Sequence, residues 1–235
     1  MSSLSPSTRT WSWNIVRTYL VDREGLFVRV REGAELPSLL AHMALTSTLF
    51  SALYGVAVGI YAGGWQVAYD AIKFPWVLLA TLGLCVLALY MLNSLVGARL
   101  TFLQTTAVVL SAILVTSTLL LALTPPLAFI MLTSLRDYQL VVFLNDLALG
   151  IAGAAGMSFA FQATAAVHGD PSVRARCLRV LWVWMVLYGL VGTQMLWLFR
   201  PFFRQTDVFI RPLGEGGSVF EAFGRLVLAI LRSLF

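Results

Sequence analysis

The chain has 235 residues, of which 59% are hydrophobic and 11% charged, and its mean hydropathy is +0.85. Soluble domains carry about 25% charged residues, so this composition excludes an ordinary soluble fold. The net charge of +5 is spread over tails and loops, which excludes a compact nucleic-acid-binding patch.

Asp, Glu, Lys and Arg are missing between Glu35 and Asp70, Lys73 and Arg99, Arg99 and Arg136, and Arg179 and Arg200, and of these only Asp146 falls between Asp137 and Asp170. A bilayer core about 30 Å thick takes about 20 apolar helical residues, whose backbone bonds internally. The gaps therefore predict an all-α integral membrane protein, a five-transmembrane-helix bundle with amphipathic N- and C-terminal interfacial helices. Residues 1–37 read as an N-terminal interfacial segment, 38–200 as the membrane domain, and 201–235 as a loop and C-terminal amphipathic helix. No secretory signal is read in the first 35 residues.

Near the N-terminus, Trp11, Ile15, Tyr19 and Leu20 recur at helical spacing among charges, which suits a short anchoring helix at the interface. Span one is predicted over about 38–64, opened by Pro37 and ended by Gly63 and Gly64, with Trp65 at headgroup level. Span two, over 74–96, opens at Pro75, and a turn around Gly97 joins it to span three, over 101–123, as an antiparallel hairpin. Pro125 and Pro126 predict a break after Thr124, leaving 127–135 as an interfacial or re-entrant piece. Span four covers about 138–167 and span five about 180–199, separated by a basic loop with Arg174, Arg176 and Arg179.

At the C-terminal end, Ser218 and Glu221 form a capping box. The helix it opens places Phe220, Phe223, Val227, Ile230 and Leu231 on one apolar face, opposite Arg225 and Arg232, for docking on lipid or a partner. Five spans put the termini on opposite faces; nine basic residues against seven favour a cytoplasmic N-terminus. A re-entrant first span would put both termini on one face.

Asp146 reads as the one charge inside a span, with Asn145 beside it. Gln194 and Arg200 fall at similar depth on span five, so these four form a candidate intramembrane polar cluster, either a structural clamp or an ion-coupling site. Asn93, Gln104 and Gln162 share a depth at the other end and read as interhelical glue. Gly150, Gly153, Ala154 and Gly156 on span four, and Gly189 and Gly192 on span five, form small-residue faces for close helix packing. Neither His42 nor His168 has ligands at metal spacing, and there is no phosphate loop or nucleophile elbow, so no metal, cofactor or enzymatic activity is expected.

The stretch DAIKFPWVLLATLGLCVLALYMLN, with the later YGLVGTQMLWLFRPFF, resembles bacterial multi-pass proteins and, more faintly, the Yip1 family of five-span membrane proteins. The resemblance spans roughly residues 65–205 and implies a five-span, non-enzymatic membrane organiser in a bacterial inner membrane. Together these readings predict a scaffold, anchor or complex subunit whose partners are the lipid bilayer and a protein or a second copy, not nucleic acid. A small channel or transporter built around Asp146 is the alternative.

Overall fold

A computed structural model describes residues 23–33, 35–133, 138–200, 202 and 209. Among them are six helices: α1 (Arg23–Glu32), α2 (Leu36–Ala62), α3 (Gln66–Leu95), α4 (Phe102–Thr133), α5 (Tyr138–Val167) and α6 (Pro171–Leu198). The last five are long and apolar enough to cross a membrane, as the charge gaps predict. The N-terminal repeat of Trp11, Ile15, Tyr19 and Leu20, and the C-terminal helix with its capping box, lie outside the described residues.

Helix α2 starts at Leu36 with Pro37 in its first turn, and ends where Gly63 and Gly64 adopt positive φ. Its 27 residues make about 40 Å of continuous helix, too long for a re-entrant loop. Gly97, at φ +89°, turns α3 into α4.

Three boundaries differ from the sequence reading. One is the start of α6, at Pro171 and not near 180: Asp170 caps the helix and Pro171 opens it, so Arg174, Arg176 and Arg179 lie on the helix and not in a loop. Helix α3 begins at Gln66, not near 74, so Pro75 lies inside it and Asp70 and Lys73 become helical. Helix α4 does not break at Pro125 and Pro126; it continues to Thr133. The reason is burial beyond the proline pair. Leu127 and Met131 pack with Tyr54, Phe74, Leu120, Val141 and Ala152 in a second core cluster, which offsets the two lost backbone hydrogen bonds.

The main core lies between α2, α3 and α4 and extends to α5 and α6. Helix α2 packs against both α3 and α4, α4 also against α5, and α3 against α6, whereas the chain neighbours α5 and α6 touch little. Trp184 ties α6 to α3: it is buried, and its indole Nε1 donates to the Cys85 carbonyl at 2.7 Å. Helix α1 docks on the ends of α4 and α5 through Leu26, Val30 and the Phe27–Phe159 ring pair.

Candidate functional site: a buried charge pair and an open glycine groove

A close contact of two backbones is made by two glycines one helical turn apart on α2. A Cβ on Gly55 would collide with the Asp70 carbonyl, and one on Gly59 would lie 2.9 Å from the Gln66 carbonyl oxygen. This close approach of backbones is the use to which GxxxG spacing is put between helices in lipid. It draws the first turns of α3 into the bundle and buries three polar side chains with them.

Those side chains are Gln66, Asp70 and Lys73, all essentially without solvent exposure. Their i, i+4 and i, i+3 spacing puts them on one face of α3. Gln66 Nε2 donates to Asp70 Oδ1 at 2.7 Å, and Lys73 Nζ stands 3.8 Å from the same oxygen. The other carboxylate oxygen, Oδ2, accepts no hydrogen bond. Opposite charge and one amide compensate a carboxylate that is very costly to bury alone.

Aromatic rings complete the shell. Lys73 Nζ lies 5.8 Å from the Tyr69 ring centroid, 5.3 Å from Phe202 and 5.4 Å from Phe209. All are within the range of cation–π attraction. Phe202 also stacks on Phe74, and Phe74 meets Tyr54 edge-on. The Tyr54 hydroxyl donates to the Asn145 side-chain carbonyl, so one continuous network runs from α3 through α2 to α5. It is an ion pair in an apolar shell, suited to fixing helices or to holding a charge away from water.

The expected cluster around Asp146 is placed differently. Asn145 is buried and its partner is Tyr54; Asp146, the next residue, is exposed on the outer face of α5. Arg200 lies with its guanidinium 3.2 Å over the Trp197 ring, and Gln194 is half-buried on α6. Of the other amides, Gln104 and Gln162 find separate partners, and the buried Asn93 side-chain oxygen accepts no hydrogen bond. Gln104 donates to the Val30 and Arg31 carbonyls and Gln162 accepts from Arg23, while Asn93 is buried apart from both.

Of the expected packing glycines, Gly156 alone is in tight contact, where a Cβ would sit 2.6 Å from the Ala112 carbonyl oxygen. Gly192 faces the Thr81 methyl at 3.7 Å from such a Cβ, and at Gly150, Gly153 and Gly189 a Cβ would meet nothing within 4 Å. These open positions and Ala154 line a cavity of about 440 Å³ between α3, α4, α5 and α6. Its threonines turn inward on their own helices: Thr81 donates to Val77 O, Thr116 to Ala112 O and Thr193 to Gly189 O. The cavity wall is therefore predominantly apolar.

Sequence reasoning missed Gly55, Gly59, Tyr54 and the Gln66–Asp70–Lys73 face. The signals were present as GVAVG at 55–59 and as polar residues at 66, 70 and 73 with apolar ones between. Among the described residues no group of His, Cys, Asp and Glu is arranged to hold a metal ion, and Cys85 and Cys177 are separately buried free thiols. Comparison with protein-family models, curated proteins and solved structures finds no match.

Proposed function

We propose that the protein is a non-enzymatic integral membrane scaffold or complex subunit that receives a transmembrane helix of a partner subunit in the groove between α5 and α6. The observation that carries this reading is the pair of glycine faces with nothing against them. Elsewhere in the same chain, at Gly55, Gly59 and Gly156, glycine stands where another backbone comes close. Lipid chains adapt to any apolar surface and need no glycine, whereas a docking helix does. Helix α6 is also the least covered, with 11% of its most apolar stretch buried against 61% for α4. A five-span organiser of this kind is what the Yip1-like resemblance implies, and Phe220, Phe223, Val227, Ile230 and Leu231, predicted from the sequence to share one helix face, would add a second contact.

The test is a photoreactive residue at Gly189 in native membranes, with and without Gly150→Leu. The expected result is one discrete protein adduct that Gly150→Leu removes while the protein unfolds at an unchanged temperature. An adduct of twice the chain mass would make the partner a second copy. Adducts with lipid alone in both forms overturn the proposal.

One observation favours a second reading, ion-coupled transport: a carboxylate and an ammonium are both fully buried in α3, and one carboxylate oxygen accepts no hydrogen bond. That moves the transport candidate from Asp146 to Asp70 and Lys73. Asp70→Asn would then abolish proton or cation flux into vesicles containing the purified protein, and retained flux would remove this reading.

A further inference from the structure

At the opposite end of the bundle from the Asp70–Lys73 pair, the end of α1, the α3–α4 turn and the α5–α6 turn enclose a second cavity of about 560 Å³. Its character is the reverse of the groove's. Arg31, Arg99, Gln104, His168 and Asp170 line it. Arg176 borders it, with Nη2 3.9 Å from the position of a Cβ on the lining residue Gly97, and Arg31 Nη2 is 3.3 Å from that of a Cβ on Gly169. The glycines keep the mouth open for guanidinium groups.

Gln104 sets the geometry. It closes a reciprocal capping box with Thr101 at the start of α4, and its Nε2 donates to the Val30 and Arg31 carbonyls at 3.0 Å each. The residue that caps α4 thereby fixes the end of α1 and holds Arg31 at the rim. The N-termini of α4 and α6 both lie at this cavity and turn their positive dipole ends to it.

An independent observation points to a ligand. His168 is 8% exposed, and its Nδ1 is paired with the Thr164 carbonyl at 2.8 Å, while Nε2 has no hydrogen-bond partner. A buried ring nitrogen left open in the lining of a polar cavity is an unfilled hydrogen-bonding position. The arginines make no close ion pair either: among the described residues no carboxylate oxygen lies within 4 Å of the Arg31, Arg99 or Arg176 guanidinium. Asp170 is the single carboxylate of the lining. Its side chain accepts from the Ser172 amide at 2.8 Å, and that bond with the nearby Arg176 charge holds it below the usual carboxylate range. Three guanidinium groups thus face one carboxylate.

We infer that this cavity binds an anionic phosphate group, with Arg31 and Arg99 as the principal ligands, Arg176 at the rim and His168 Nε2 at the floor, accepting from a hydroxyl of the ligand. Basic pockets between transmembrane helices at the membrane surface suit anionic lipid headgroups, and a free phosphate offers the same chemistry.

The test uses the full chain in a neutral detergent, titrated with dioleoyl phosphatidylglycerol, dioleoyl phosphatidylcholine or inorganic phosphate and followed by native mass spectrometry. Phosphatidylglycerol is expected to be retained over phosphatidylcholine, and R31Q/R99Q to weaken its binding about twentyfold. The variant R174Q/R179Q, which removes the same charge from exposed positions outside the cavity, should weaken it less than threefold. Each variant is compared at its own lipid-free unfolding temperature, which separates lost binding from lost folding. Displacement of phosphatidylglycerol by millimolar inorganic phosphate would make a soluble phosphate the ligand; no displacement would make it the lipid. Equal retention of the two lipids, or equal weakening by the two double variants, overturns the proposal.

Discussion

The α2–α3 pair and the α5–α6 pair are built from similar residues and used in opposite ways. Each joins two apolar helices through a short turn, and each carries glycines and an acidic residue. In the first pair the glycines bring backbones into contact and the charges Asp70 and Lys73 go inside. In the second pair Gly150, Gly153 and Gly189 face open space and Asp146 lies outside. A small residue or a charge in an apolar helix has no fixed meaning. The neighbour that meets it decides between a packed joint and an open surface.

The comparison breaks most visibly at the charges. Lys73→Met leaves the Asp70 carboxylate buried without its counter-charge and is expected to destabilise the fold by about 3–5 kcal/mol in detergent unfolding. The double variant D70N/K73M, neutral and of similar volume, should recover most of that loss. Asp146→Asn, the same chemistry on an outward face, strands no buried counter-charge and should not destabilise the fold. A large effect of Asp146→Asn, or none of Lys73→Met, would erase the distinction between the two pairs.

The glycines give a comparison of sign. Gly59→Ala places a methyl group against the α3 backbone, which cannot retreat without moving the charge pair, and should cost about 1–3 kcal/mol. At Gly150 or Gly189 the same substitution meets empty space and gains helix propensity, so it should be neutral or stabilise by up to about 1 kcal/mol. Gly156→Ala supplies the control within α5 itself, because its Cβ would press on the Ala112 carbonyl. It should behave like Gly59→Ala, not like Gly150→Ala.

How much of this was legible depends on what each signal measures. Charge gaps measure the solvent of a segment, so five apolar helices could be read directly, with α2, α5 and the Gly97 turn close to their observed limits. Prolines were read by local rules and misled twice. Pro75 and the pair Pro125 and Pro126 lie inside helices because the residues around them are buried against other helices, and tertiary burial outweighs the loss of a hydrogen bond or two. Starting α3 at Pro75 hid Asp70 and Lys73 in a loop, and so left Asp146 as the apparent lone charge. The direction a residue faces was the least legible quantity. Helices that are apolar all round carry almost no amphipathic pattern, so Asn145 and Asp146, adjacent in sequence, could not be told apart as inward and outward.

The Tyr54–Asn145 bond sets the scale of a neutral polar joint between the two halves. Tyr54→Phe keeps the ring contact with Phe74 but leaves the buried Asn145 carbonyl without its donor. The expected loss is about 1–2 kcal/mol. A double variant that also replaces Asn145 with Leu removes the orphaned acceptor and should regain part of it. A null effect of Tyr54→Phe would mean that α5 is held to α2 by apolar packing alone.

The smallest effect belongs to Asp170, the cap of α6. Its side chain is exposed and accepts from the Ser172 amide, and its ionised form is favoured there, so its carboxyl titrates lower in the folded chain than in the unfolded one. A depressed carboxyl contributes stability above its unfolded value, near 3.9, and that contribution disappears as pH falls through the folded value. Asp170→Ala should therefore lower the unfolding temperature slightly at neutral pH, with the difference from the natural chain closing below pH 3 to 4, and Asp170→Asn, which keeps a capping oxygen, should lower it less. If the deficit of Asp170→Ala persisted unchanged into acid, the carboxylate charge would not be the source of the cap's contribution. The α5–α6 turn would then be held by its packing against α1 and not by the charge at the helix start.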